Sequence, residues 1–137
     1  MTTETYDILS SNSTLQEGVI KLLSERLPKT PINILDYYTV LRLTTIEGNP
    51  VSVCLAGLRE DNAYEIVYHN WDGYSHETAT NPVHHHVSAV FANAKGYLDH
   101  LGGSKFIFSS TRDESFVLAR FPNARKTEGR WYEVTVD

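Results

Sequence analysis

Between Tyr37 and His69 the chain passes through three stretches rich in β-branched and aromatic residues, separated by two short polar turns, and few folds accommodate such a run. The first stretch is Tyr37 to Ile46, which Glu47-Gly48-Asn49-Pro50 turns into the second, Val51 to Leu58. Arg59-Glu60-Asp61-Asn62 then leads to a third stretch beginning at Tyr64. Connections this short join antiparallel neighbours, so the expectation is a three-strand meander. Within the second stretch Val51, Val53 and Leu55 alternate with Ser52, Cys54 and Ala56. Large side chains therefore fall on one face and small ones on the other, and both faces are expected to be covered.

Helical patterns flank the meander. Ahead of it, Tyr6 to Leu9 reads as an edge strand. Ser13 then caps a helix, with Gln16 as its reciprocal partner and Leu15, Val19, Leu22, Leu23 and Leu27 on one face. Pro28 and Pro31 end that helix. After the meander, residues 71–81 form a polar loop longer than an ordinary hairpin connection. A long helix follows, with Asn81 as cap, Pro82 in first position, and Val83, Val87, Val90, Phe91, Ala94, Leu98 and Leu101 on one stripe up to Gly102-Gly103. Lys105 to Ser109 is a compact strand. Thr111 and Glu114 read as a capping box for a short helix carrying Phe116, Val117, Leu118 and Phe121, closed by Pro122. Beyond a basic turn through Gly129, Trp131 to Val136 alternates as a terminal strand. The order β-α-β-β-β-α-β-α-β predicts an α+β fold, a mixed and mainly antiparallel sheet with helices on both faces, in one domain over residues 1–137.

Charge and cysteine content narrow the partners. Cys54 is the single cysteine of 137 residues and cannot close an intrachain disulfide, which points to a reducing, cytoplasmic setting. Met1-Thr2-Thr3-Glu4-Thr5 lacks the basic and apolar regions of a signal peptide, and no apolar run approaches a membrane span. A net charge of −5 argues against nucleic acid as a partner. The one basic cluster, Arg120 with Arg125, Lys126 and Arg130, reads either as a solvated turn or as a seat for a phosphate group or an acidic partner.

Five of the six histidines fall between His69 and His86. His84, His85 and His86 are consecutive, and helical neighbours point about 100° apart, so they cannot share one metal ion from a regular helix. No metal is expected; beside the positive end of a helix they read as donors to an anion. Trp71 and Tyr74 stand in the polar loop, where they line a ligand or protein contact or pair two chains.

The order of elements is similar to the GNAT acyltransferase fold: strand, helix, three-strand meander, long central helix, strand, short helix and closing strand. It also resembles small phage-encoded members of that fold in Phe106-Ile107-Phe108-Ser109-Ser110, in Arg112 to Phe121 and in Trp131-Tyr132-Glu133-Val134. The resemblance implies transfer of an acyl group from acetyl-CoA to an amine. It also implies that the third strand and the strand after the central helix splay apart into a cleft. His69, Asp72 and Glu77 would then be the catalytic candidates, as bases for the attacking amine. Asn81, Val83, His84, His85, Ser109 and Ser110 would be the cofactor-binding candidates. The alternative for His69, Asp72 and Glu77 is that of polar loop residues facing water. The fold's glycine-containing pyrophosphate loop is absent, and Ser75-His76-Glu77-Thr78-Ala79-Thr80-Asn81-Pro82 stands in its place. The short helix offers Phe116 and Phe121 where many relatives have a tyrosine that protonates the departing thiolate. A second reading is a non-catalytic binding or assembly protein acting through a protein partner or as a homo-oligomer.

Overall fold

A computed structural model describes residues 3–9, 13–26, 37–70 and 88–135. The elements in chain order are β1 (Thr3–Asp7), α1 (Ser13–Arg26), β2 (Tyr38–Ile46), β3 (Asn49–Leu58), β4 (Tyr64–Asn70), α2 (Ala94–Leu101), β5 (Lys105–Ser109), α3 (Glu114–Arg120), β6 (Ala124–Lys126) and β7 (Trp131–Thr135). Among the described residues seven strands form one sheet in the order β1-β2-β3-β4-β5-β7-β6. All neighbours are antiparallel except β4 and β5, which are parallel.

The meander is as the sequence predicts, with a tighter first turn. Glu47 and Gly48 both have positive φ (53° and 78°), and Ile46 pairs directly with Asn49. A two-residue loop of this kind matches the right-handed twist of the strands it joins. Pro50, expected in the turn, is a buried strand residue opposite Thr45. It sits at a register shift between Thr44 and Thr45, one of the few places a strand tolerates a proline.

β3 is buried over its whole middle, on both faces, as its alternation predicts. Val53 and Leu55 join Val40, Leu43, Val19 and Leu23 in a core under α1. Cys54 and Ala56 join Ile66, Phe106, Phe108, Tyr132 and Val134 in a larger core under α2 and α3, where Val90, Ala94, Tyr97, Leu98 and Val117 pack. Small side chains on that face let the helices approach the sheet.

Several boundaries differ from the sequence expectation. β1 lies at Thr3–Asp7 rather than Tyr6 to Leu9, because its ladder to β2 ends at Asp7 opposite Arg42. The chain then turns, with the Leu9 N–H donating to Asp7 Oδ1 at 2.9 Å. The central helix is interrupted: residues 88–92 and 94–101 are helical, but Asn93 between them has φ −112° and ψ 23°. Its side-chain amide donates to the Ala89 carbonyl at 2.9 Å, the local competition that Asn offers a helix. Gly102 ends α2 with φ 82°, and the Gly102 and Gly103 N–H groups both donate to Leu98 O.

The expected capping box at Thr111 and Glu114 is not formed. The residue at the cap of α3 is Asp113, in extended conformation, because residues 110–112 are spent on a turn in which the Arg112 N–H donates to Ser110 Oγ at 3.1 Å. The basic turn contains the short strand β6, so its charges separate. Arg125 pairs with Glu133, and Lys126 lies 3.8 Å from Glu114. Ser13 is the first residue of α1; the capping atoms of Ser13 and Gln16 lie outside the described side chains. The expected helix end at Leu27, Pro28 and Pro31, the loop aromatics Trp71 and Tyr74, and the expected helix start from Asn81 to Val87 lie outside the described residues. No described helix is long and apolar enough to cross a membrane.

Candidate functional site

β4 and β5 share only two residue pairs, Tyr64 with Phe106 and Glu65 with Ile107. Beyond them each strand stays with its other neighbour: β4 is paired to β3 up to Ser52 and Asn70, and β5 to β7 up to Ser109 and Trp131. A continued ladder would set Val67 opposite Ser109 and Tyr68 opposite Ser110, and no such pairs form. The sheet therefore opens into two lips, and backbone groups that a closed ladder would satisfy face the gap.

Tyr64 fixes the closed end of this opening. Its hydroxyl donates to the Leu101 carbonyl at 2.7 Å, so the first β4 residue is tied to the end of α2. Gly103 is required beside it, since a Cβ there would lie 2.4 Å from Tyr64 Cε2.

The floor toward the open end is polar, through a row running across four strands. Asp7 pairs with Arg42, Arg42 with Cys54, and Cys54 with Tyr68, so the four share the α2 face. Arg42 arrives there because of the register shift between Val40 and Arg42; strict alternation would leave it on the α1 face with Val40. Arg42 Nε lies 3.1 Å from Asp7 Oδ2, an ion pair by distance, yet its N–H is not aimed at that oxygen and makes no hydrogen bond. Asp7 Oδ2 accepts instead from the Tyr97 hydroxyl of α2 at 2.6 Å. Burial pushes the Cys54 thiol up to about 12, against the pull of Arg42. Tyr97 is raised by burial first and then by its bond to Asp7.

Tyr68 is raised as well, by burial and by Cys54, with Arg112 acting in the opposite direction. Arg112 follows β5, so its charge reaches a β4 side chain from the other lip. The next row outward, Thr5, Thr44, Ser52 and Asn70, is also polar. In it Ser52 Oγ is buried and has no hydrogen-bond partner among the described residues.

The residues predicted from sequence fall as follows. His69 is in β4 opposite Val53, beyond the last β4 to β5 pair, and its side chain is outside the described set. Ser109 ends β5, exposed and opposite Trp131; the Ser110 N–H donates to Arg130 O at 3.0 Å. His69 and these serines thus come from opposite lips. Asp72, Glu77, Asn81, Val83, His84 and His85 lie outside the described residues. Sequence reasoning missed Arg42, Arg112 and Tyr97. Among the described residues no group of three His, Cys, Asp or Glu side chains gathers as a metal site.

No protein-family model and no curated protein matches the chain. Solved structures do. One is yncA from Salmonella typhimurium with its cofactor acetyl-CoA, at 8% identity, TM-score 0.54, covering 100% of this chain and 95% of that one. Another is an N-acetyltransferase from Staphylococcus aureus Mu50, at 7% identity, TM-score 0.53, covering 98% and 99%. A third is a Bacillus subtilis acetyltransferase in complex with CoA, at 10% identity, TM-score 0.50, covering 98% and 97%. At such identities the likeness is one of fold. The chain thus has a GNAT-like fold, as in an acetyltransferase of the GNAT family from Staphylococcus aureus Mu50 (13% identity, TM-score 0.50, covering 99% of this chain and 100% of that one), with a mixed and mainly antiparallel sheet between helices.

Proposed function

We propose that this protein is a divergent acyltransferase that moves an acyl group from acyl-CoA to an amine within the opening between β4 and β5. The observation that carries the reading is the parting of those strands after Tyr64–Phe106 and Glu65–Ile107. An extended thioester arm bearing amide groups can replace the missing ladder, bonding strand edges that no longer satisfy each other. CoA in neighbouring structures of the same fold supports this choice of carrier.

In the reaction the amine nitrogen attacks the thioester carbonyl, the C–N bond forms and the C–S bond breaks. The amine gives its proton to a base, and the sulfur leaves as thiolate until it takes a proton. His69 is the foremost candidate base, because an imidazole titrates at about 6.5 and β4 carries it past the last pair with β5. Asp72 and Glu77, from the following segment, are the alternatives. Asn81, Val83, His84 and His85, with Ser109 and Ser110 on the β5 lip, are the candidate contacts for the carrier.

The test is acetyl-CoA binding followed by thiol release in the presence of primary amines. Ligand at one hundred times its dissociation constant stabilises the fold by about 2.7 kcal/mol, an upward shift readable in thermal unfolding. With turnover established, His69→Ala lowers kcat more than it weakens acetyl-CoA binding. The absence of a glycine loop in residues 75–82 favours a second reading, a phage-type assembly protein on the same scaffold. It expects no response to millimolar acetyl-CoA and a self-associated or partner-bound species in solution.

A further inference from the structure

Phe116 is a large apolar side chain left 38% exposed on α3, and two arginines converge on it. Arg112 Cζ lies 5.2 Å from its ring centroid and Arg120 Cζ 5.5 Å. Arg120, four residues on, shares a face of α3 with Phe116, and Arg112 reaches the same ring from the turn that precedes the helix. Other cations nearby face carboxylates: Arg125 and Lys105 share Glu133, and Lys126 lies 3.8 Å from Glu114. Among the described residues neither Arg112 nor Arg120 has a carboxylate partner, although the chain carries seventeen Asp and Glu against twelve Lys and Arg. Two like charges beside one ring repel each other, and an anion between them relieves that repulsion. The exposed ring adds a surface on which a planar base can stack.

Position connects the cluster to the opening. The turn at Ser110 orients Arg112, which follows the β5 lip and is felt electrostatically by Tyr68 on the β4 lip. The cluster thus starts at the mouth of the opening and continues outward along α3.

We propose that Arg112, Phe116 and Arg120 form a nucleotide seat, with the guanidinium groups on phosphate and the ring against a purine. Building on the acyltransferase reading, the seat takes the phosphorylated nucleotide end of the acyl carrier. Side-chain guanidinium groups from the turn before α3 and from its last residue stand in for the backbone amides of the glycine loop that residues 75–82 lack.

Adenosine 3′,5′-bisphosphate is the probe, titrated calorimetrically into the intact protein beside inorganic pyrophosphate. Arg112→Gln and Arg120→Gln each weaken both ligands by about tenfold, and raised salt weakens them in the unaltered protein. Phe116→Ala weakens the adenosine ligand by about fivefold and leaves pyrophosphate unchanged. All three side chains are exposed, and unchanged melting temperatures would exclude unfolding as the cause. No binding at millimolar probe, or equal affinity in the arginine variants, overturns the seat. Acetyl-CoA and a short acetyl thioester lacking the nucleotide, if turned over with equal KM, would overturn the seat and keep acyl transfer. Arginine-dependent binding of the bisphosphate without any turnover of acetyl-CoA keeps the seat and removes acyl transfer.

Discussion

The hydroxyl of Tyr97 donates to Asp7 Oδ2 at 2.6 Å across ninety residues of sequence, fastening the central helix to an edge strand. Tyr97 is fully buried, and the same oxygen faces Arg42 Nε at 3.1 Å. Tyr97→Phe keeps the ring and removes the bond. Because Asp7 retains Arg42 and the Leu9 N–H, the loss is about 1–2 kcal/mol in urea unfolding, at the lower end for a bond to a charged group. Asp7→Ala costs more, since it leaves a partly buried guanidinium without its counter-charge. In a double-mutant cycle the two changes are strongly non-additive, and simple additivity would mean that the bond does not couple helix and strand.

Cys54 links burial to pH. Its thiol titrates at about 12 in the fold against an ordinary 9.0, so the folded state holds the proton more tightly than the unfolded state does. The associated stability is complete below pH 9.0 and falls as pH rises toward about 12, by at most about 4 kcal/mol. Cys54→Ala removes the part of the alkaline fall that begins at pH 9.0 and leaves the part that Tyr97, raised from an ordinary 10.0, contributes at higher pH. The native thiol also resists a disulfide-exchange reagent until the protein unfolds. Rapid labelling under native conditions would contradict its burial.

Gly103→Ala tests the closed end of the opening. The added methyl would sit 2.4 Å from a Tyr64 ring whose hydroxyl is held by Leu101 O, so the ring cannot yield without giving up that bond. A loss of about 1–3 kcal/mol is expected. Faster amide exchange at Tyr64 and Glu65 should accompany it, reporting a loosened first pair with β5.

Ser52→Ala should act in the opposite sense. Removing a buried hydroxyl that has no partner among the described residues relieves its desolvation, and thermal melting should move upward by the equivalent of about 1 kcal/mol. If that hydroxyl is kept for a bound guest, acetyl-CoA or acceptor affinity falls while stability rises. A lower melting point for the alanine variant would show that Ser52 is satisfied in solution.

Much of the architecture could be read from local pattern. The alternation in Val51 to Leu58, the apolar stripe through Val90, Ala94 and Leu98, and Gly102 after the helix each carry their own signal. β6 does not: Ala124-Arg125-Lys126 has no periodicity, and it becomes a strand because β7 offers a ladder and Glu133 a counter-charge to Arg125. The two lips were legible as strand ends, which is why His69 and Ser109 lie on opposite sides of the opening. The polar row from Asp7 to Tyr68 was hidden, since one extra residue between Val40 and Arg42 reverses which face Arg42 occupies. The Arg112–Phe116–Arg120 cluster was missed because Phe116 was read only as one of the apolar residues of the short helix, with Val117, Leu118 and Phe121.

The sheet ends on one side in β6, a strand of three residues, two of them cations already engaged by carboxylates of the same chain. Another extended polypeptide arriving at that rim would find a short template flanked by long charged side chains. Growth of the sheet into fibrils from that border is thereby discouraged, so concentrated preparations can be heated toward unfolding with this flank contributing little to aggregation.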